Sequence, residues 1–169
     1  MSDISGKSFI ARISSVTEDF SGPLNISSYV EIAKSGWLLR GRGEERAVAL
    51  RFNYLRHDAE RHHYSISSAE QGQYYGAELG VSQNGYLGFY HIANVTDFWK
   101  VELMGEGSVE AGFHFVLRDH RGYRVAAYSI DEFFGNLANT HAGSVKTFDY
   151  LSVQHGEILE LRADAVQLL

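Results

Sequence analysis

The sequence predicts an all-β domain carrying a threefold internal repeat of about fifty residues, with a β-sandwich or jelly roll as the alternative arrangement of the same strands. Three observations carry that reading. Turn-forming glycines recur at a fixed interval. Breaker clusters interrupt the chain every ~8–12 residues, which leaves no room for several turns of helix. The 169 residues include 17 Gly, 10 Tyr and 10 Phe, a composition that favours strands joined by tight turns.

The repeat is set by Gly22, Gly72 and Gly122, which are spaced by fifty. Six positions before them stand the β-branched residues Val16, Ile66 and Val116. A second glycine follows 13 or 14 residues later and opens a Gly-x-Leu tripeptide in Gly36-Trp37-Leu38, Gly85-Tyr86-Leu87 and Gly135-Asn136-Leu137. Leu50 or Phe52, Trp99 and Phe148 then close the three units. Each glycine is read as a turn position needing positive φ, and the apolar residues between turns as inward side chains of strands.

Each unit is therefore expected to run strand, turn, strand, turn, strand, loop, strand. In the second unit the pattern places strands over 64–68, 74–81, 86–92 and 98–103; in the third, over 113–117, 123–129, 137–139 and 147–153. Breakers separate them at Gln71-Gly72, Asn84-Gly85, Gly105-Glu106-Gly107, Arg121-Gly122 and Gly143-Ser144. The tail over 157–169 fits period two through Leu159, Leu161, Ala163 and Ala165, and helical spacing through Ile158, Leu161, Ala165 and Leu168. A strand is expected there, because Val166 falls fifty after Val116 and continues the register.

Length fits a single domain over residues 1–169. Zero cysteines exclude disulfides and thiolate metal sites. A net charge of −6 with no long Lys/Arg run argues against nucleic acid as a partner. The six arginines between Arg40 and Arg61 are interspersed with Glu44, Glu45, Asp58 and Glu60 and read as a solvated surface. The first seven residues lack the apolar run of a secretory signal, and no stretch approaches the ~20 apolar residues of a transmembrane helix. A cytoplasmic location is expected, with release by a non-classical route as the way out. Asn25-Ile26-Ser27 and Asn94-Val95-Thr96 match the N-glycosylation tripeptide and carry no weight in that setting.

Three units of four short strands, each with Gly-x-Leu in its middle and an aromatic near its end, resemble a β-trefoil of the ricin-B-like or fascin-like kind over residues 9–153. The fascin-like likeness is carried by Asp97-Phe98-Trp99-Lys100-Val101-Glu102 and Phe115-Val116-Leu117-Arg118. The resemblance implies a six-stranded barrel capped by three hairpins and a role in recognising sugars, proteins or actin. The lectin branch ends its units in Gln-x-Trp, where this chain has Asp97-Phe98-Trp99 and Lys146-Thr147-Phe148. A single trefoil also offers one site, whereas bundling actin takes more. What carries over is the architecture and the expectation of a recognition module.

The residues themselves point the same way. There is no Gly-x-Ser-x-Gly elbow and no phosphate loop, and Asp131-Glu132 are adjacent and so point apart in a strand. No catalytic set and no cofactor is expected. His57-Asp58-Ala59-Glu60-Arg61-His62-His63 is rich in metal-ligand types but lacks a ligand spacing, and reads as a solvated loop. The ligand-binding candidates are Asp131, Asn136, Asn139 and His141, beside Phe133 and Phe134, in the third unit. In the second they are Tyr86, Tyr90, His91 and Asn94. Aromatic faces ringed by hydrogen-bonding groups suit a carbohydrate. The bland alternative is that the aromatics fill the hairpin cap. The other function classes are a protein-interaction or inhibitor module and a membrane-active toxin component, the latter disfavoured because no amphipathic helix is long enough to insert.

Overall fold

The structure, a computed structural model, describes residues 4–29, 34–41, 46–91, 95–134 and 144–169. Within them every regular element is a strand except a 3₁₀ turn at Glu18–Phe20. The strands are β1 (Phe9–Ser15), β2 (Gly22–Tyr29), β3 (Lys34–Arg40), β4 (Ala49–Asp58), β5 (Arg61–Ser68), β6 (Glu78–Val81), β7 (Leu87–Tyr90), β8 (Trp99–Ser108), β9 (Gly112–Arg118), β10 (Ala126–Phe134), β11 (Ser144–Ser152), β12 (Glu157–Ile158) and β13 (Leu161–Leu168). The all-β class expected from the turn spacing is what the chain adopts, and the tail is a strand, as its register implied.

Period-two alternation explains the strands directly. In β1, Phe9, Ala11, Ile13 and Ser15 are buried while Ile10, Arg12 and Ser14 between them are half-buried. Antiparallel pairing closes a circuit of nine strands among the described residues, in the order β1-β13-β9-β8-β5-β6-β7-β3-β2 and back to β1. Strand β4 spans β1 and β5, so six strands, β1, β4, β5, β8, β9 and β13, also close a ring among themselves. Closure leaves this ring without a free edge.

The remaining long strands form hairpins β2–β3, β6–β7 and β10–β11. These touch in a cycle. The first meets the second at Trp37↔Gly88, the second meets the third at Tyr86↔Ser152, and the third returns to the first at Tyr150↔Leu39.

Inside the ring sits an aromatic cluster. Phe9 stacks on Phe52 at 4.6 Å and meets Tyr64 and Phe113 edge-on at 5.5 and 5.8 Å. Phe115 stands against Phe52 at 6.2 Å. Polar tips of the large buried rings are satisfied by backbone: Tyr64 Oη donates to the Ile4 carbonyl at 3.2 Å and Trp99 Nε1 to the Leu79 carbonyl at 3.1 Å. A second, smaller cluster of Leu39, Phe148 and Tyr150, with Trp37, Tyr86 and Ile130 against it, lies under the hairpins.

Several details of the expected repeat need correction. Val16 is 36% exposed just beyond β1, and Val116 is buried but stands outside the central cluster, so of that trio Ile66 alone faces the barrel interior. Ile13, Ile66 and Leu117 are inward residues near those positions; in the first unit the 3₁₀ turn at Glu18–Phe20 lengthens the path from β1 to Gly22. The stretch over 147–153 is not the closing strand of the third unit. It belongs to β11 and pairs with β10, and the ring is closed by β13. Consequently Phe148 caps the hairpins and does not line the barrel. The expected strand over 74–81 begins only at Glu78, because residues 73–76 form a turn. Gly135 and the strand over 137–139 lie outside the described residues.

The hairpin cycle is locked by a buried ion pair. Arg40 Nη2 of β3 donates to Asp149 Oδ2 of β11, and Ser129 Oγ of β10 donates to the other carboxylate oxygen at 2.6 Å. Both charged side chains are nearly out of solvent, so removing one strands the other. Asp149→Ala should cost about 3–5 kcal/mol of unfolding free energy in urea titration, whereas Leu55→Ala at an exposed position should change it by less than about 0.5 kcal/mol.

Candidate functional site

Of the residues proposed from the sequence, Tyr86, Tyr90, His91 and Asp131 lie among the described residues. Tyr86 follows Gly85, whose φ of 86° and close packing under Gln154 both require the absence of a side chain: a Cβ there would sit 2.6 Å from Gln154 Cγ. The Tyr86 ring stands edge-on to Trp37 and Tyr150 at 6.3 and 5.8 Å, so it is chiefly part of the hairpin cap. Burial, then the nearby Tyr128 and Glu132, pushes its phenol above the ordinary tyrosine value. Tyr90 is half-buried on β7, its phenol raised by burial and by the carboxylate of Asp97. His91 is exposed and lies parallel to Tyr74 at 6.2 Å. Its Nε2 stands 2.8 Å from the Gln73 carbonyl, which can only accept, so Nε2 donates and the ring is tied to the 71–76 loop. Asp131 is exposed on β10 and accepts from Thr147 Oγ1 at 2.6 Å. Asn94, Asn136, Asn139 and His141 lie outside the described residues, as do the side chains of Phe133 and Phe134.

A cleft of roughly 310 Å³ opens elsewhere, between the 119–123 turn after β9 and the 153–156 turn after β11. Its functional side chains are Arg118, Tyr123, Arg124, Gln154, His155 and Ile158. The first wall is built on the fully buried Asp119. Its Oδ1 accepts from the Arg121 and Tyr123 amides at 3.0 and 2.9 Å, and its Oδ2 accepts from the Arg121 guanidinium at 2.9 and 3.1 Å. That turn holds Tyr123 55% exposed, with the Arg121 guanidinium 4.9 Å from its ring centre. Arg118, at the cleft's inner end, is fixed by Glu102 Oε1 at 2.9 Å and the Gly122 carbonyl at 3.0 Å.

The second wall turns on Ser152, whose Oγ accepts from the Gln154 and His155 amides at 3.1 and 3.4 Å. Gly156 then passes so close to β10 that a Cβ would lie 2.0 Å from the Ala127 carbonyl oxygen, and its φ of 107° is itself a glycine conformation. Strand β12 pairs with the start of β10, which seats Ile158 beside Ala126. The His155 ring stands 5.3 Å from Tyr128, a residue 38% exposed that stands 6.5 Å from Tyr86. Tyr86 thus touches this region at its edge, while none of the cleft's own side chains is among the ligand-binding candidates read from the sequence. The signal was present as Gly122-Tyr123-Arg124 and Gln154-His155-Gly156, aromatic and polar residues beside turn glycines.

A second hollow of roughly 360 Å³ lies at the β4–β5 turn, lined by Asp58, Glu60, Arg61, His63, Lys100 and Glu102. Among the described residues no group of three or more metal-ligating side chains is placed to hold an ion. The histidines there do something else. His57 and His62 stack across the hairpin at 5.6 Å, and His63 stacks on Phe98 at 5.3 Å. His62 and His63 are buried, and neither Nδ1 has a hydrogen-bond partner among the described residues.

Compared with known proteins, the chain matches no family model, no curated protein and no solved structure. No helix among the described residues is long and apolar enough to cross a membrane.

The two buried histidines are expected to make the fold acid-sensitive. Desolvation first, then the charge of His57, lowers the His62 pKa; desolvation first, then Arg56 and Lys100, lowers that of His63. Unfolded histidine titrates near ~6.5, so below that pH the unfolded chain takes up protons that the native chain resists. Stability should be level above about pH 6.5 and fall as the pH drops through the lowered native values. Thermal melts between pH 7.5 and 5 check this: Tm should decline over that range, and the decline should flatten in a His62→Gln/His63→Gln variant.

Proposed function

We propose that the chain is a non-catalytic recognition module of β-trefoil architecture that binds a carbohydrate in the cleft between residues 118–126 and 153–158. The architectural reading is supported by the six-strand ring and the three hairpins that touch in a cycle. It is also supported by a recurring junction. The end of a ring strand pairs with the start of the following hairpin at Ser15↔Gly22, Ser67↔Glu78 and Arg118↔Arg124.

The observation that carries the ligand reading is the exposed ring of Tyr123, held by a buried carboxylate turn beside Arg124, Gln154 and His155. A sugar presents a flat apolar face edged by hydroxyls, and a fixed aromatic ring ringed by directed polar groups complements both features. The cleft volume falls at the lower end of small-ligand sites, enough for one or two rings.

A binding role is further supported by how a catalytic-looking histidine is used. His114 Nδ1 faces Glu160 at 3.2 Å, a pairing that often orients a general base. Its Nε2, however, lies 3.0 Å from Arg162 Nη1, which can only donate, so the lone pair a base would use is already taken.

Screening the folded protein against an array of neutral and charged glycans tests this reading. Binding to at least one class is expected, weakened about five-fold or more by Tyr123→Ala with Tm unchanged, since an aromatic contact contributes about 1 kcal/mol. Silence on every class, or binding indifferent to Tyr123→Ala, contradicts it. Capture of a stoichiometric protein partner through Tyr123 and Tyr128 in place of a glycan would make the protein-interaction reading the correct one.

A further inference from the structure

Resting on that reading of the cleft, we infer that the ligand it takes is an acidic saccharide, a sugar ring bearing a carboxylate or sulfate that pairs with Arg124. The chain carries a net charge of −6, yet no Asp or Glu lines this cleft, whereas Arg118 and Arg124 do. Glu157 lies between the lining residues Gly156 and Ile158 but does not itself line the cleft. Arg121 is neutralised by Asp119 at 2.9 Å. Arg118 shares Glu102 with Arg61, at 2.9 and 3.9 Å, so one carboxylate serves two guanidiniums. Arg124 is exposed and has no ion-pair or hydrogen-bond partner for its side chain among the described residues. The cleft's lining therefore offers one uncommitted guanidinium and no carboxylate on a chain of negative net charge.

Hydrogen-bonding capacity gives the same answer independently of net charge. A guanidinium donates and cannot accept. Arg118 is already engaged by Glu102 and the Gly122 carbonyl, so the uncommitted donors at the cleft are those of Arg124, beside the mixed groups of Tyr123, Gln154 and His155. The complementary ligand is acceptor-rich, and an anionic oxygen pair meets a guanidinium with two parallel hydrogen bonds. A free inorganic anion would leave Tyr123 and Ile158 without a contact. A polyanionic backbone would be opposed by the remainder of the surface and exceeds a cleft of roughly 310 Å³. A single acidic sugar uses both the charge and the aromatic face.

The test is a calorimetric titration of the full chain, its Arg124→Gln variant and its Tyr123→Ala variant. The probes are galactose, galacturonate, galactose 6-sulfate and sodium sulfate, each at about 50 mM and about 300 mM NaCl. At low salt the wild type should bind galacturonate or galactose 6-sulfate about ten-fold or more tightly than galactose. That preference should shrink in high salt and vanish in Arg124→Gln, whose Tm should match the wild type. The two acidic sugars together distinguish carboxylate from sulfate as the charged group. Galactose bound as tightly as its acidic counterparts overturns this inference and leaves carbohydrate binding standing. Sodium sulfate bound as tightly as galactose 6-sulfate, with Tyr123→Ala without effect, also overturns it, because the site would then take an anion without a sugar. No binding of any saccharide by the folded protein defeats the carbohydrate reading together with this one.

Discussion

The structure depends on a small knot of aromatic rings drawn from distant parts of the chain. Phe9 of β1, Phe52 of β4, Tyr64 of β5 and Phe113 and Phe115 of β9 meet inside the six-strand ring, with ring centres about 4.6–6.2 Å apart. Burial of each such side chain is worth ~1.5–3 kcal/mol, and no two of these strands other than β4 and β5 are joined by a short turn. The chain therefore reaches a stable core only when its first, middle and later segments arrive together. Without cysteines, this apolar cluster and the strand ladders around it must hold the fold.

From the ring the rest follows by geometry. A closed ring fixes where every strand ends, and so fixes where the three hairpins spring from it. The hairpins meet one another through Trp37, Tyr86 and Tyr150, and the Arg40–Asp149 pair holds the first against the third. The cleft is a by-product of that meeting. One wall is the turn where β9 hands over to β10, braced by Asp119, and the other is the turn where β11 hands over to β12, braced by Ser152. A site whose walls are already hydrogen-bonded lets a ligand keep more of its contact energy as affinity.

Much of the fold was legible in the sequence because backbone conformation leaves a mark on residue choice. Gly22, Gly36, Gly72, Gly85 and Gly122 all have positive φ, a conformation that selects glycine visibly, although Gly22 opens β2 and Gly36 lies within β3 opposite a register shift and not at a turn. The errors have local causes: the 3₁₀ turn at Glu18–Phe20 shifted the register behind Val16, and the length of β11 disguised a hairpin strand as a barrel strand. The site was harder. Tyr86, Tyr90 and His91 satisfy the description of a binding residue, yet the first is drawn into the cap and the last is tied to Gln73. Whether an aromatic is spent on packing or left at the surface is decided by strands that approach from elsewhere, as Gln154 approaches Gly85. A sequence pattern over one segment does not carry that information.

The central claim is that a ligand sits between two particular turns. It is tested most directly by following backbone amide resonances during titration with galacturonate. Shifts concentrated at residues 119–126 and 152–158, with the 85–91 and 128–131 segments changing little, are the result this account predicts. Shifts confined to Tyr90, His91 and Asp131, or a spectrum that stays unchanged at saturating sugar, would contradict it.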